Sequence, residues 1–255
     1  MRRFKPVPIP EEDLEKLLFA LQRAPTDASA QLYSAIRVRD PRLRDEVARL
    51  SGDQEHIRQA AEFFLFLADV HRLERLLAHR GQRMAFWPRT ALHFAILDAG
   101  IAASYLALTA EALGYGVCFI GGVLNGVEAL TDLLGLPPGV LPVVGLAVGV
   151  PDEEGAPRPR LPRRLVVHED RYRPYAAEDL EEAYRAMAPY SRVGDWNRVL
   201  RRYFAEGGTM EAREKPYGKV LSRQGFDPDL PQGAPFYSLG ALLEEALAEA
   251  RGVLF

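Results

Sequence analysis

The sequence contains one cysteine, Cys118, among 255 residues. A single cysteine excludes an intramolecular disulfide and a cysteine-rich metal site, and it is compatible with a reducing cytosol. The five histidines are scattered without a repeated spacing, and the sequence has neither a HExxH nor a GxSxG motif. We therefore expect no metal ion and no catalytic side-chain nucleophile.

Long uninterrupted apolar runs are missing as well. The most apolar stretch, residues 92–113, is broken by His93, Asp98 and Glu111, which is typical of a buried helix and not of a membrane span. Basic residues at the N-terminus are followed at once by prolines and acidic residues, so there is no apolar run of signal-peptide length. We expect a cytoplasmic protein that makes no contact with a membrane.

Neither sign of charge predominates. Lysine and arginine total 32 residues and aspartate and glutamate total 35, which gives a formal net charge of −3 and a pI near 6.0. Such a protein has no overall field that attracts nucleic acid. A nucleic-acid interface on the basic run from Arg158 to Arg173 was the alternative, but prolines and acidic residues interrupt that run. We expect no nucleic-acid partner.

Apolar periodicity predicts an α+β protein with a central mixed β-sheet flanked by helices. Strands are predicted over residues 32–38, 59–68, 117–120 and 141–150, and helices over residues 10–24, 41–50, 70–80, 88–113 and 125–134. From about residue 175 the chain becomes charged, and helices are predicted over residues 178–187, 195–204, 215–224 and 238–251. Small residues from Ala99 to Ser104 permit close helix–helix or helix–sheet packing, and we expect this face of the helix to lie at a dimer interface.

Four segments combine small, polar or basic residues in patterns that suit anion or ligand binding. Arg2 and Arg3 stand at the N-terminus, and residues 24–31 form a small polar loop between a helix and a strand. The tripeptide Ile120-Gly121-Gly122 follows a strand, so a ligand can approach bare backbone there. Arg158 and Arg160 flank a proline, an extended arrangement that can clamp a phosphate. Taken singly, each is also the pattern of an ordinary turn, glycine bend or solvated loop.

These segments lie within longer motifs that follow one another in a fixed order along the chain. RRFKPVPIP has the form of an RxFxxxP opening, and APTDASAQLY that of a loop entering a first strand. GDQEHIRQAAEFFLFLAD is similar to an NQxYVxQAAEFxxFxAD segment, and PRPRLPRRLVVHEDRY to a KPRLPxxxxVHxxxY element. Between them, ALGYGVCFIGGVLNGVEALTDLLGLPPGVLPVVGLAVGVP follows a helix–strand–helix–strand block. In this order the motifs resemble the nitroreductase / flavin reductase superfamily, above all its major oxygen-insensitive nitroreductase branch.

The resemblance implies a nitroreductase-like fold in a homodimer, with an FMN-binding domain over residues 1–174 and a helical extension over residues 175–255 that wraps the partner. It implies an FMN-dependent oxidoreductase that takes hydride from NADPH or NADH and reduces electron-poor small molecules (nitroaromatics, quinones or free flavins) by a ping-pong mechanism. The flavin would carry the chemistry. The alternatives are a flavin-binding or redox-sensing module without efficient turnover, and another flavin reaction such as reductive dehalogenation.

Residue by residue, the resemblance also implies the contacts of the isoalloxazine ring. Arg2 takes the place of a basic residue near flavin N1 and O2, with Arg3 beside it. Gln54 takes the place of an amide that hydrogen-bonds the pyrimidine edge. Gly121 and Gly122 would supply backbone N–H groups near flavin N5.

The remaining implied contacts involve the partner subunit and the phosphates. Arg158 and Arg160 fall on the Lys and Arg that hold the FMN phosphate, and Arg192 is the candidate contact of a NADPH phosphate. A basic residue and a serine are usual upstream of the RxF element, and this sequence begins too late to contain them, so either one phosphate or ribityl anchor is missing or the true start lies upstream. If the anchor is missing, we expect FMN affinity to depend strongly on this arginine pair. The loop that lines the flavin from the partner subunit falls on Thr26, Asp27, Ala28 and Ser29.

Overall fold

The computed structural model describes residues 1–155, 157–191 and 193–227. Within them the chain forms two compact units, one of residues 1–153 with 216–227 and one of residues 154–215. The helices of the first unit are α1 (Glu11–Gln22), α2 (Pro41–Leu50), α3 (Glu55–Gln59), α4 (His71–His79), α5 (Pro88–Ala112) and α6 (Val127–Leu133). Its strands are β1 (Tyr33–Arg37), β2 (Glu62–Asp69), β3 (Gly116–Ile120) and β4 (Val140–Gly149). Three more helices follow: α7 (Ala177–Met187), α8 (Trp196–Phe204) and α9 (Thr209–Arg223).

The four strands form one sheet in the order β1-β2-β4-β3. Every described pair is antiparallel, so the expectation of a mixed sheet was wrong for this part of the chain. The apolar runs of β2 and β4 indicated burial on both faces, which is usual for parallel sheets. Here helices cover both faces of an antiparallel sheet. A continuous apolar run therefore indicates that both faces of a strand are covered. It does not indicate whether the strand is parallel or antiparallel to its neighbours.

The two faces of β2 belong to two different apolar clusters. Phe64 and Phe66 pack with α1 and α5 on one face, and Phe63, Leu65 and Leu67 pack with α2 and α6 on the other. All eight residues of β2 are buried. Alternating side chains along a strand point to opposite faces, so this strand anchors both layers and positions the strand ends beside it.

Helix α5 is the longest helix in the described part of the chain. By length and composition it is apolar enough to cross a membrane, with a mean hydropathy of 1.6 over its most apolar window. Residues three or four positions apart nevertheless face the core, and Ala95, Ala99, Ala102 and Leu106 are fully buried. One face of the predicted buried helix therefore lies in the core, whereas Leu97, Tyr105 and Leu108 on its other face are exposed. The expectation that the small residues serve a dimer interface was wrong for Ala99 and Ala102, because they pack within their own chain.

The later helices differ in part from the predicted ranges. Helix α9 begins at Thr209, before the predicted start at residue 215, and carries Pro216 in its interior. Helix α3 was not predicted, because the apolar run after it was read as a strand from residue 59. The predicted helix over residues 238–251 lies outside the described residues. The predicted boundary at residue 174 remains a prediction, since contacts within one chain do not test an extension that wraps a partner.

Candidate functional site

The N-terminal segment is held along the ends of two strands. The Met1 ammonium group donates to the carbonyl oxygen of Val117 at 3.0 Å, and the Lys5 N–H donates to that of Val150 at 2.8 Å. Phe4 is buried and forms an isolated bridge with Pro151. These contacts fix the backbone of the two predicted site arginines against the sheet.

Glu153 positions both arginines through their backbones. Its Oε1 accepts hydrogen bonds from the N–H groups of Arg2 and Arg3, and these bonds, Arg2 first, lower the pKa of Glu153. The side chain of Arg2 is exposed and makes no ion pair among the described residues. Burial, and then the nearby charge of Arg2, lower the pKa of His56 on α3. The guanidinium of Arg2, which makes no ion pair among the described residues, is therefore close enough to α3 for its charge to act on His56.

The turn before α3 brings Gln54 against Gly122. The Gln54 amide donates from Nε2 to the carbonyl oxygen of Ser51 at 2.7 Å. A β-carbon on Gly122 would overlap both Gln54 Nε2 and the Ser51 carbonyl oxygen, so only glycine fits there. Next to it, a β-carbon on Gly52 would lie 2.7 Å from Asn125 Nδ2. The sequence placed Gln54 and Gly122 in one site, and the structure puts them in contact.

Gly121 has open space where Gly122 has none. No atom lies within 4 Å of a β-carbon built on Gly121. Gly121 and Gly122 begin a 3-10 helix over Gly121–Gly126, and the first N–H groups of a helix lack partners inside that helix. The side chain of Ile120, by contrast, is only 1% exposed and belongs to the core. Of the three predicted residues, Ile120 can therefore offer a ligand only its backbone.

The loop that was predicted to line the flavin has an unusual backbone. Residues 27–29 form a short 3-10 helix, and Ala28, Ser29 and Gln31 have φ angles of +45°, +56° and +54°. Left-handed conformations cost non-glycine residues roughly 1–3 kcal/mol each, and they persist only where neighbours enforce them. Thr26 contributes by accepting the Gln31 N–H on Oγ1 at 3.3 Å. The Ala30 N–H also donates to the carbonyl oxygen of Asp27 at 2.8 Å, and Arg72 donates to the carbonyl oxygen of Gln31.

Asp98 of α5 adds a buried constraint from another segment of the chain. Its carboxylate is 1% exposed; Oδ1 accepts the N–H of Asp27 at 3.0 Å and Oδ2 accepts the N–H of Leu32 at 2.9 Å. One side chain therefore holds both ends of the loop. In the sequence, Asp98 stands out only as an interruption of an apolar run. An acidic residue alone among the buried residues of a helix was the signal, because a buried carboxylate requires hydrogen-bond donors.

The predicted phosphate ligands lie in the second unit. Arg158 and Arg160 are both exposed. The guanidinium carbon of Arg158 lies 5.8 Å from the centre of the Tyr190 ring, and Arg160 Nη1 donates to the carbonyl oxygen of Pro159 at 3.1 Å. Neither arginine has a carboxylate partner in the described part of the chain, so both charges are available to an anion. Arg192, the candidate NADPH contact, lies outside the described residues.

The comparisons with known proteins agree with the motif order. The sequence profile of the Nitroreductase family matches residues 1–150. The chain belongs to the nitroreductase family. The predicted nitroreductase-like fold is thereby confirmed. Its solved relatives include the NADPH:FMN oxidoreductase from Vibrio harveyi complexed with NAD+, with a TM-score of 0.77, 29% sequence identity, and 88% of this chain and 93% of that chain covered.

Curated nitroreductase relatives cover most of both sequences. The FMN reductase (NADPH) of Bacillus subtilis is 34% identical over 174 residues, which are 68% of this chain and 70% of the relative. The oxygen-insensitive NADPH nitroreductase of Salmonella typhimurium is 33% identical over 234 residues, or 89% of this chain and 93% of the relative. Both names are those of enzymes, so the alternative of a flavin-binding sensor without turnover is not favoured.

Proposed function

We propose that this nitroreductase-family chain is an FMN-dependent oxidoreductase that takes hydride from NADPH and reduces electron-poor small molecules. The observation that carries the proposal is the contact of Gln54 with the bare backbone of Gly122, next to open space at Gly121. An amide beside unshielded peptide N–H groups is suited to the polar edge of a flat heterocycle. The names of the relatives support NADPH as the donor and a flavin or nitro compound as the acceptor.

The residues present fit FMN in shape and in charge. Gly121 leaves room for a ring, and the Gln54 amide offers both a donor and an acceptor to the pyrimidine edge. Arg2 offers a guanidinium that has no carboxylate partner among the described residues, and we propose that Arg158 and Arg160 provide two more for the phosphate. Arginine forks suit phosphate because they donate two parallel hydrogen bonds.

When bound, FMN supplies the redox chemistry of the reaction. The chain itself orients the cofactor and adjusts the local charge. With FMN bound, Arg2 would offer a positive charge to the negative charge of a reduced ring, and Gly122 would allow the backbone to approach the ring closely. Asp98 keeps the loop of residues 27–32 in one conformation. None of these roles requires a nucleophile, which agrees with the absence of a GxSxG motif from the sequence.

A homodimer is part of the proposal. Residues 26–29 are proposed to line the flavin of the partner subunit, and residues 175–255 to wrap that subunit. Large apolar side chains are exposed on the outward side of α5 and on α1, and a monomer rarely leaves such residues uncovered as a group. The most exposed of them are Phe19, Leu97, Tyr105 and Leu108. We propose that the dimer is cytoplasmic and acts by a ping-pong mechanism, with one cleft serving donor and acceptor in turn.

The visible spectrum of the purified protein tests the function. We expect about one FMN per chain, bleaching on anaerobic addition of NADPH, and return of the oxidised spectrum when a nitroaromatic or a quinone is added. Protein that stays colourless after FMN reconstitution and gel filtration contradicts the cofactor. Protein that holds FMN but is not bleached by NADPH or NADH contradicts the proposed enzyme activity and supports the alternative of a flavin-binding sensor without turnover. Light scattering that gives a monomer with FMN bound contradicts the dimer.

A further inference from the structure

A second basic site lies within the unit of residues 154–215. A cavity of about 550 Å³ opens between the 3-10 helix at residues 163–165 and the segment that precedes α7. Four arginines and one histidine contribute to its lining: Arg163, Arg164, Arg171, Arg173 and His168. Arg158 and Arg160, the proposed ligands of the FMN phosphate, do not line it. The cavity is therefore built from different residues than the flavin site.

Two of the four arginines are held in place by a buried carboxylate. Asp179 of α7 is 4% exposed; it accepts a hydrogen bond from Arg173 Nη1 at 2.7 Å and another from Arg164. These two guanidiniums, Arg173 first, hold the pKa of Asp179 far below its usual range. Arg164 also pairs with Glu182. An arginine has five N–H donors, so both side chains keep donors for a ligand while their orientation is already fixed.

The other two arginines form no ion pair among the described residues. Arg163 and Arg171 are exposed, and neither has a carboxylate partner or a side-chain hydrogen bond within the described residues. The lining also contains one acid, Glu169, so the cavity remains positively charged. Asp179 and Glu182 pair with the two fixed arginines and Glu169 lies in the lining, so the four guanidiniums keep a small net positive charge, and the two without carboxylate partners can each donate paired hydrogen bonds to a phosphate group.

Aromatic rings stand beside these charges. The ring of His168 lies 4.6 Å from that of Tyr172, which lies 5.9 Å from that of Tyr175. Tyr172 does not itself line the cavity, but it is 68% exposed and contacts His168, which does, so a planar base can stack on Tyr172 beside the cavity. His168 Nδ1 accepts the N–H of Arg173 at 3.3 Å, which leaves Nε2 as the position of a further N–H donor. From this combination of stacking surface and guanidiniums we propose that the cavity binds the phosphate monoester of a small nucleotide.

Direct titration tests the site on the full-length, FMN-loaded protein. By calorimetry, we expect adenosine 5′-monophosphate to bind and adenosine, which lacks the phosphate, to bind at least about tenfold more weakly. The double variant Arg163→Ala/Arg171→Ala should lose about tenfold or more in affinity for the monophosphate. Arg185→Ala removes an exposed arginine of α7 outside the cavity and is the matched control. It should bind as the wild type does.

Several results would overturn the site. These are no saturable binding of the monophosphate in the millimolar range, equal binding of adenosine, or equal binding by wild type and double variant. Tighter binding of a single-stranded oligonucleotide, regardless of a terminal phosphate, would assign the surface to nucleic acid instead. If the alanine variant fails to fold, Arg163→Lys/Arg171→Lys replaces it, and we expect weaker binding because lysine cannot form the paired hydrogen bonds. Flavin absorbance separates the two proposals, since colourless protein that still binds the monophosphate contradicts only the FMN proposal.

Discussion

Asp98→Ala tests how the proposed flavin loop is held. The substitution removes both acceptors of the Asp27 and Leu32 N–H groups. A hydrogen bond to a charged group contributes about 1.5–3 kcal/mol. The Asp27 N–H can reach water when the loop relaxes, whereas Leu32 is only 1% exposed and its N–H stays buried. Because neighbouring losses are not additive, we expect the free energy of unfolding to fall by about 2–4 kcal/mol.

Loss of the anchor should also weaken FMN. Ala28, Ser29 and Gln31 occupy left-handed conformations, and without Asp98 they gain stability by leaving them. Asp98→Asn is the conservative comparison, because its amide oxygen can accept only one of the two N–H groups in the same geometry. It should lose about half as much stability. Glu111→Ala removes an exposed acid of the same helix and should stay within about 0.5 kcal/mol of wild type.

Urea unfolding and FMN titration by flavin fluorescence measure both effects. A loss of about 2–4 kcal/mol lowers the Tm of a chain of this size by roughly 4–16 °C. We expect Asp98→Ala to lose stability and FMN affinity, Asp98→Asn to fall between it and wild type, and Glu111→Ala to change neither. If Asp98→Ala unfolds within about 0.5 kcal/mol of wild type and binds FMN equally well, the carboxylate does not anchor the loop.

Three further substitutions address the other contacts. Arg160→Ala should weaken FMN by about tenfold or more and leave riboflavin binding unchanged, because riboflavin lacks the phosphate; an unchanged FMN constant would mean that the phosphate lies elsewhere. Gly122→Ala should lower flavin content and stability, since its methyl group overlaps Gln54 Nε2, and normal flavin content would refute this close packing. The pKa of Asp179 is depressed in the folded state, so its stabilising contribution is present above its unfolded pKa of about 4 and is lost as the pH falls below that value. This loss begins near the unfolded pKa and continues down through the much lower folded pKa of Asp179. Urea unfolding should therefore show a smaller loss between about pH 6 and about pH 3, which covers the first part of this titration, for Asp179→Asn than for wild type, and equal losses would show that this carboxylate does not cause the pH dependence.

Some elements were predictable because their signals are local. Helix α2 begins as predicted, since Asp40 accepts the N–H of Leu43 at 2.8 Å and Pro41 occupies the first helical position. Helix α5 ends just before Gly114, whose φ of +87° suits a helix stop. The apolar runs of β2 and β4 correctly indicated strands covered on both faces. Each of these signals depends on neighbours within a few positions along the chain.

The functional assignment was predictable for a different reason. The motifs around Gln54, Gly121 and Gly122 and the arginines at 158 and 160 stand in the order of one family, and the family profile and relatives agree with it. The roles of individual site residues remain predictions. Motif order places residues in a known register, but it does not measure a contact.

Only the tertiary structure decided strand direction, the anchoring of the flavin loop and the arginine cavity. The direction of β2 and β4 follows from how the connecting helices return the chain, which periodicity within a strand does not encode. Asp98 accepts a hydrogen bond from an N–H 71 positions away in the sequence, and Asp179 forms ion pairs with two arginines of an earlier segment. The sequence by itself determined which residues are apolar, charged or conformationally free. Which charges find partners depended on distances that only the folded chain defines, because a buried carboxylate is stable only where donors from other segments converge on it.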